Sequence, residues 1–316
     1  MDLGVLIVTQ EGVTWDDWCA LAESCEQFGV STLLAGDHYL STYDELGHVS
    51  HDAWTVIAGL AARTSTLRLG TMVTPVTIRP PAVLANMVAT VDHISGGRVE
   101  LGLGSGWMER EHEAFGFSFP RPRVRQQMLA EQLEIVHRLW TEERVTFRGE
   151  HYALENAPGR PKPLQAPHPP ITVGGSATPG TALVAARFAD EYNYAWVSRP
   201  SEFPDGRRRV VEACGKVGRD PGTMRFSIAV HCVVAENHDE AMDRAHAIYS
   251  LRPREKNFDD WFADSSEQRL FGSVDEVATT LRSYADAGAD RFVVMQSLHR
   301  DLESIRLIGE ELAPRL

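Results

Sequence analysis

Short apolar runs alternate with longer amphipathic segments along the chain. The short runs have the length and composition of buried strands, and the longer segments repeat apolar residues at helical spacing. The pattern predicts strands at Leu3–Val8, Thr32–Ala35, Leu67–Val73, Arg98–Leu103, Ile171–Val173, Glu191–Val197, Met224–Val234 and Arg291–Met295. It predicts helices at Trp15–Phe28, Ala53–Arg63, Ala82–Ile94, Arg125–Thr141, Thr181–Phe188, Pro204–Val217, Asp239–Tyr249, Val274–Asp286 and Leu302–Leu312.

This alternation of strands and helices is typical of an α/β fold, the (β/α)8 TIM barrel. Several strands are continuous apolar runs, as expected for a parallel sheet covered by helices. A doubly wound sheet is the alternative, although the chain is large for that class. We predict one barrel domain over residues 1–316, with insertions at about 145–170 and 252–272.

The two insertions have different patterns. Val145–Leu154 predicts a hairpin around Arg148-Gly149-Glu150, and the proline-rich stretch Pro158–Pro170 follows it. Arg252–Gly272 is charged and aromatic without clear periodicity, so we predict an irregular loop there.

The charge balance limits the expected partners. The 316 residues include 31 Lys and Arg against 44 Asp and Glu, a net charge of −13. Nucleic acids and anionic membranes bind basic surfaces, so neither is an expected partner. An anionic ligand would have to be held by local N–H groups or a few arginines, for example in the run Arg121–Arg125. The longest uncharged apolar stretch, Trp54–Ala62, is too short to span a membrane, and no basic leader precedes the first strand. We expect a cytoplasmic protein.

Candidate chemistry lies at the predicted strand ends, because barrels place their active sites at the carboxyl ends of the strands. Strand two ends at Asp37-His38, where a carboxylate and an imidazole could act as acid and base. A capping Asp beside a structural His is the equally supported alternative. Strand three ends at Thr71, Met72 and Val73, where small neighbours would let a planar ligand approach the backbone, or a plain turn could follow.

Two further strand ends are rich in glycine. Strand four ends with Gly104, Ser105, Gly106 and Trp107, whose backbone N–H groups suit an anion or a ring edge. The run lacks the spacing of a dinucleotide-binding fingerprint. Strand five passes through Gly174, Gly175 and Ser176 into a helix, which predicts a phosphate site at the helix N-terminus or simply a well-capped helix.

Metal and serine chemistry have weaker support. The spacing His48-x-x-His51-Asp52 resembles a metal site, but no predicted strand end supplies a second histidine. We predict no metal and keep a metal-dependent barrel hydrolase as a minor alternative. The sequence has no G-x-S-x-G elbow, which disfavours a serine hydrolase.

Jointly, these motifs resemble the bacterial luciferase-like oxidoreductases, in particular the branch that depends on the deazaflavin coenzyme F420. The resemblance covers nearly the whole chain. It is carried by Asp37-His38, Ala53-Trp54, Leu60–Thr64, Leu69–Pro75, Pro80–Ala85, Ser95–Arg98, Gly102–Trp107, Gly174–Ser176 and Phe271–Ser273. It implies a luciferase-like TIM barrel with insertions, a homodimer, a small-molecule substrate, and F420 or alternatively FMN at the barrel mouth.

The resemblance also implies roles for these residues. Thr71, Met72 and Val73 would back the middle ring of the cofactor, with a non-proline cis peptide at Thr71–Met72. The segment Gly104–Trp107 would lie along the cofactor, and Gly174–Ser176 would take its phosphate. His38, next to Asp37, would donate a proton or orient the substrate.

The reaction so implied is hydride transfer between C5 of the deazaflavin and an organic substrate. A reduced-FMN monooxygenase is the alternative, and a non-catalytic cofactor carrier is a third reading. Trp107 stands where some sugar-phosphate dehydrogenases of this group place a carboxylate, which disfavours a sugar phosphate as substrate. A role for Glu109 or Glu111 stays open.

Overall fold

A computed structural model of the chain describes residues 1–42, 48, 50–195, 199–251, 255–266 and 269–316. Its strands are β1 Asp2–Ile7, β2 Thr32–Ala35, β3 Arg68–Thr71, β4 Thr74–Pro75, β5 Val99–Gly104, β6 Arg144–Arg148, β7 Ala153–Pro158, β8 Ile171–Gly175, β9 Glu191–Ala195, β10 Arg225–Ala235, β11 Arg269–Ser273 and β12 Arg291–Gln296. Its helices are α1 Trp15–Phe28, α2 Ala53–Ala61, α3 Pro81–Ser95, α4 Glu109–Phe115, α5 Pro122–Thr141, α6 Pro179–Phe188, α7 Phe203–Val217, α8 His238–Ser250, α9 Phe258–Ser266, α10 Val274–Asp286 and α11 Leu302–Arg306. After α11 the chain continues as a π-helical segment, Leu307–Leu312.

Parallel strands of the described chain close into a ring in the order β1, β2, β3, β5, β8, β9, β10, β12 and back to β1. The closing pair runs in register from Asp2 opposite Arg291 to Ile7 opposite Gln296. The short strand β4 continues β3 after a break and pairs with β5. The predicted (β/α)8 TIM barrel is confirmed, and the doubly wound alternative is wrong.

Ionic groups fill the amino-terminal end of the barrel. The guanidinium of the fully buried Arg291 donates to Glu100 and Glu191 at 2.9 and 3.1 Å, and Asp2 lies 3.1 Å from its Nε. Burial opposes the charge of Arg291, but the surrounding carboxylates outweigh it and raise its pKa above the ordinary value. The opposite end, where the strands finish, carries the candidate site.

The structure changes some predicted boundaries. The hairpin is confirmed as an antiparallel pair of β6 and β7. The predicted strand Leu67–Val73 stops at Thr71, and α4 was not predicted. Residues 196 and 197 of the predicted strand Glu191–Val197 lie outside the described residues.

The prediction of an irregular loop at Arg252–Gly272 is wrong for the residues of this segment that the structure describes. The segment contains α9, and β11 pairs in parallel with β10 from His231 opposite Arg269 to Ala235 opposite Ser273. Five residues carry too little periodicity to identify a strand that forms only by pairing with a distant segment. Within the described residues, no helix has both the length and the apolar character needed to cross a bilayer.

Candidate active site

A cavity of about 1200 Å³ lies at the barrel mouth, among the carboxyl ends of the strands. Most of the predicted site residues line it, namely His38, Met72, Val73, Gly104, Ser105, Gly106, Trp107, Gly174, Gly175 and Ser176. The side chains of Asp37 and Thr71 are buried and do not line it. The two glycine-bearing strand ends therefore face the same space.

Val73 lies between these two strand ends. A β-carbon added to Gly104 would come within 2.6 Å of Val73 Cγ2, and one added to Gly174 would come within 3.1 Å of Val73 Cγ1. On Gly102 it would meet the Thr71 carbonyl oxygen at 2.0 Å. Glycine at these positions allows the segment between β3 and β4 to pack directly against β5 and β8.

The non-proline cis peptide lies at Met72–Val73, so the expected position at Thr71–Met72 was wrong by one residue. Thr71 still belongs to β3, because the Met72 N–H donates to the Ala35 carbonyl at 3.0 Å. The Thr71 hydroxyl also points into the sheet, where it donates to the Gly102 carbonyl at 3.0 Å.

His38 is held by a carboxylate that the sequence left without a role. Its Nδ1 lies 3.1 and 3.3 Å from the two carboxylate oxygens of Glu111, a fully buried residue of α4. Glu111 also accepts the backbone N–H groups of Tyr39 and Leu40, at 2.5 and 3.2 Å. Since an ionised carboxylate only accepts hydrogen bonds, Nδ1 carries the hydrogen, and Nε2 is the ring nitrogen left for a ligand.

Burial by itself would raise the pKa of Glu111, but the hydrogen bonds from His38 and the two N–H groups outweigh it and lower the pKa. A lowered carboxyl pKa stabilises the fold above the ordinary value of 4.5, and this stabilisation is lost as pH falls through the folded value. We expect Glu111→Gln to cost about 1–3 kcal/mol of unfolding free energy at neutral pH. The difference from wild type should shrink below about pH 4.5.

Urea denaturation at a series of pH values measures this difference. Glu113→Gln, an exposed carboxylate on the same helix, is the control and should change little at any pH. A Glu111→Gln deficit that stays constant down to pH 3 would contradict a lowered pKa for Glu111.

Asp37 belongs to a buried ionic cluster behind the cavity wall. Arg79 donates to both Asp37 oxygens at 2.5 and 3.2 Å and to Asp52 at 2.5 Å. Tyr39 donates to Asp52 at 2.6 Å, and Thr74 donates to Asp37 at 2.6 Å. Burial lowers the pKa of Arg79, but the two carboxylates outweigh it and hold that pKa above the ordinary value. The Asp37 carboxylate therefore contacts Arg79 and Thr74 and does not line the cavity.

Trp107 stands at the cavity rim, where 57% of it is exposed. Its ring meets the His38 imidazole edge-on, with the centroids 5.5 Å apart. Behind this rim Arg125 donates to the Ser105 carbonyl at 3.1 Å, and its guanidinium stacks 3.8 Å from the Phe119 ring centre. Arg125, the last arginine of the basic run, therefore supports the end of β5.

Some polar groups of the turn after β8 already form hydrogen bonds within the protein. The Ala177 N–H donates to the Tyr192 hydroxyl at 2.6 Å, and the Thr178 hydroxyl caps α6 by accepting the Thr181 N–H at 3.3 Å. An anion at this turn would meet the segment Gly174–Ser176, which faces the cavity.

Two residues of the minor metal alternative, His48 and Asp52, make other contacts. His48 lies 3.4 Å from the Glu11 carboxylate, and Asp52 caps α2 in addition to its contacts with Arg79 and Tyr39. Within the described part of the chain, no group of three His, Cys, Asp or Glu side chains is placed to hold a metal ion.

Comparisons with known proteins agree with this geometry. The family described as luciferase-like monooxygenase matches residues 1–291. The pyrimidine monooxygenase RutA of Stutzerimonas stutzeri (strain A1501) is 36% identical over 196 residues, which are 60% of this chain and 52%, about half, of that protein. The F420-dependent glucose-6-phosphate dehydrogenase of Nakamurella multipartita is 29% identical over 314 residues, covering 94% of this chain and 91% of its own. The crystal structure of the monooxygenase RslO1 from Streptomyces bottropensis aligns over 99% of both chains, with a TM-score of 0.83 and 25% identity. The chain therefore belongs to the luciferase-like monooxygenase family, as its motifs indicated.

Proposed function

We propose that this protein is an F420-dependent oxidoreductase that transfers a hydride between C5 of the deazaflavin and a small organic substrate at the barrel mouth. One observation carries the proposal: the glycine-bearing ends of β5 and β8 line a single cavity, with Val73 between them. One relative that aligns over 94% of the chain is named as an F420-dependent dehydrogenase. The alternative, a reduced-FMN monooxygenase, has the support of the pyrimidine monooxygenase.

The residues present fit such a cofactor. The cavity is large enough for a planar tricyclic ring, and apolar side chains of Met72 and Val73 form one wall of it. Gly104–Trp107 would lie along the cofactor, and Gly174–Ser176 would hold its phosphate through backbone N–H groups. In a chain of net charge −13, capture by backbone groups avoids the need for a basic surface. When bound, the deazaflavin supplies the site that gives or takes the hydride.

The chain itself supplies proton handling and orientation. His38 would give a proton to, or take one from, the substrate through Nε2, while Glu111 holds Nδ1. Apolar residues of the inner wall, including Leu6 and Met295, would exclude water from the reacting atoms. Trp107, edge-on to His38, would limit how a substrate enters.

Titrating oxidised F420 and FMN in parallel tests the proposal. We expect F420 to bind with micromolar or tighter affinity and to change its fluorescence, and FMN to bind more weakly. Tighter FMN binding would favour the monooxygenase alternative. Failure of both cofactors to bind would exclude the proposed function and its alternative together.

A negative charge placed in the turn after β8 should selectively weaken the binding of F420. Ser176 is exposed and lines the cavity, so Ser176→Asp should not disturb the fold. A carboxylate close to the phosphate is expected to raise the Kd about 10- to 100-fold through charge repulsion. The affinity is measured by fluorescence titration at low and high salt. Added salt should narrow the difference in Kd between Ser176→Asp and the wild type. Ser176→Ala is the matched control, and equal Kd values for the two variants would place the phosphate elsewhere.

A further inference from the structure

Gln296 lines the cavity at the end of β12. The residue is only 5% exposed, and its Nε2 has no hydrogen-bond partner among the residues that the structure describes. Most buried polar groups in proteins are hydrogen-bonded, because leaving one unpaired is costly. An unpaired buried amide in a cavity wall is therefore a candidate contact for a bound molecule.

Gln296 lies across the barrel from the proposed cofactor wall. In the ring of strands, β12 is separated from β5 by the same number of strands in either direction. Gly104, at the end of β5, and Gln296, at the end of β12, both line the cavity. A ring bound along Gly104–Trp107 would leave space between itself and Gln296, which is where a substrate would lie.

The cavity wall near Gln296 is apolar. An interior apolar cluster of the barrel includes Leu6, Val8, Ala229 and Met295 from β1, the residue after it, β10 and β12, and all four line the cavity. His231, on β10, also lines the cavity, and burial lowers its pKa to about 3, so it is neutral at pH 7. These groups offer contact area to a hydrophobic molecule and no charge.

Charged side chains that line the described cavity already have partners. Arg300 contacts Asp17 at 3.0 Å, and Arg269 donates to the Ser297 hydroxyl at 3.5 Å. The acidic members are paired as well: Glu11 accepts from Ser41 and from the Thr42 N–H at 3.1 Å each, and Asp301 accepts from Arg244 at 2.7 Å. A charged substrate would therefore have to compete with the hydrogen bonds and ion pairs that these groups already make.

We propose that this part of the cavity binds an uncharged, largely apolar substrate whose one oxygen acceptor, a carbonyl or a hydroxyl, takes a hydrogen bond from the Gln296 carboxamide. This inference names the substrate class of the proposed function and rests on it. The same amide could instead meet a carbonyl of the cofactor ring, so the experiment separates the two.

The test uses three probes that share one ring system: 2-acetylnaphthalene, 2-isopropylnaphthalene and 2-naphthoate. They are titrated calorimetrically into wild-type protein and into Gln296→Met, alone and at saturating oxidised F420. A neutral hydrogen bond contributes a factor of about ten at most. The affinity ratio is the affinity for 2-acetylnaphthalene divided by that for 2-isopropylnaphthalene. We expect Gln296→Met to lower this ratio by about fivefold to tenfold, with no loss of affinity for the hydrocarbon. We also expect the naphthoate to bind the wild type most weakly.

Gln10→Met is the matched control. Gln10 is likewise a buried glutamine that lines the cavity, but it follows β1 and does not lie at the end of β12. The affinity ratio should stay unchanged in this variant. An unchanged affinity ratio in Gln296→Met would overturn the inference. So would a Gln296→Met variant that loses affinity only for F420, or a wild type that binds the naphthoate most tightly. If F420 fails to bind while the ratio still falls in Gln296→Met, the proposed function is wrong and the assigned amide contact stands.

Discussion

His38→Ala is expected to lower the rate of substrate reduction by reduced F420 by about 10²–10⁴-fold, the contribution that a positioned acid or base makes. The imidazole lines the cavity, and Glu111 fixes Nδ1 at 3.1 Å, which leaves Nε2 for the substrate oxygen. Alanine removes the proton-transfer group but none of the backbone groups assigned to the cofactor, so the Kd for F420 should change little.

The rate is measured under single-turnover conditions, from the return of the oxidised cofactor's absorbance, on a ketone that the wild type reduces. His48→Ala is the control, because His48 also lines the cavity but contacts Glu11 instead of Glu111. The control should retain nearly the wild-type rate. A His38→Ala variant as active as this control would remove His38 from the mechanism, and a variant that lost cofactor affinity in parallel with rate would indicate a binding role.

Arg79→Met should destabilise the folded protein by about 3–5 kcal/mol, the usual effect of removing one partner from a buried ion pair. Asp37 is 1% exposed and Arg79 is 8% exposed, so water cannot replace the lost guanidinium. Asp52 and Tyr39 would lose the same partner, and the segment that carries His38 would lose its anchor. The free energy of unfolding is measured by urea denaturation.

Arg63→Met provides the comparison for Arg79→Met. Arg63 pairs with Glu23 at 3.1 Å, but their side chains are 52% and 69% exposed, so its loss should cost no more than about 1 kcal/mol. Equal destabilisation by the two substitutions would show that the Arg79 cluster contributes no more than a surface pair. A strong loss in Arg79→Met alone would establish that the buried cluster contributes far more to stability than a surface pair.

Much of the site follows from the order of motifs along the chain. Once strands and helices alternate, the carboxyl end of each strand must lie at the same end of the barrel, so His38, Gly104 and Gly174 come together although they are far apart in sequence. The family could be identified in the same way, because its motifs stand at strand ends. The choice between F420 and FMN stays a prediction, since both are planar rings with a phosphate.

The amino-acid sequence by itself determined the alternation of elements, the barrel and the residues at its mouth, because these depend on local hydrophobic period and on chain order. The tertiary structure alone decided which side chains meet there. It placed Glu111 against His38, turned Asp37 away toward Arg79, moved the cis peptide to Met72–Val73, and formed β11 against β10. Such contacts depend on strand register and on how the loops fold over the barrel end. Neither can be predicted from the hydrophobic periodicity of a local segment.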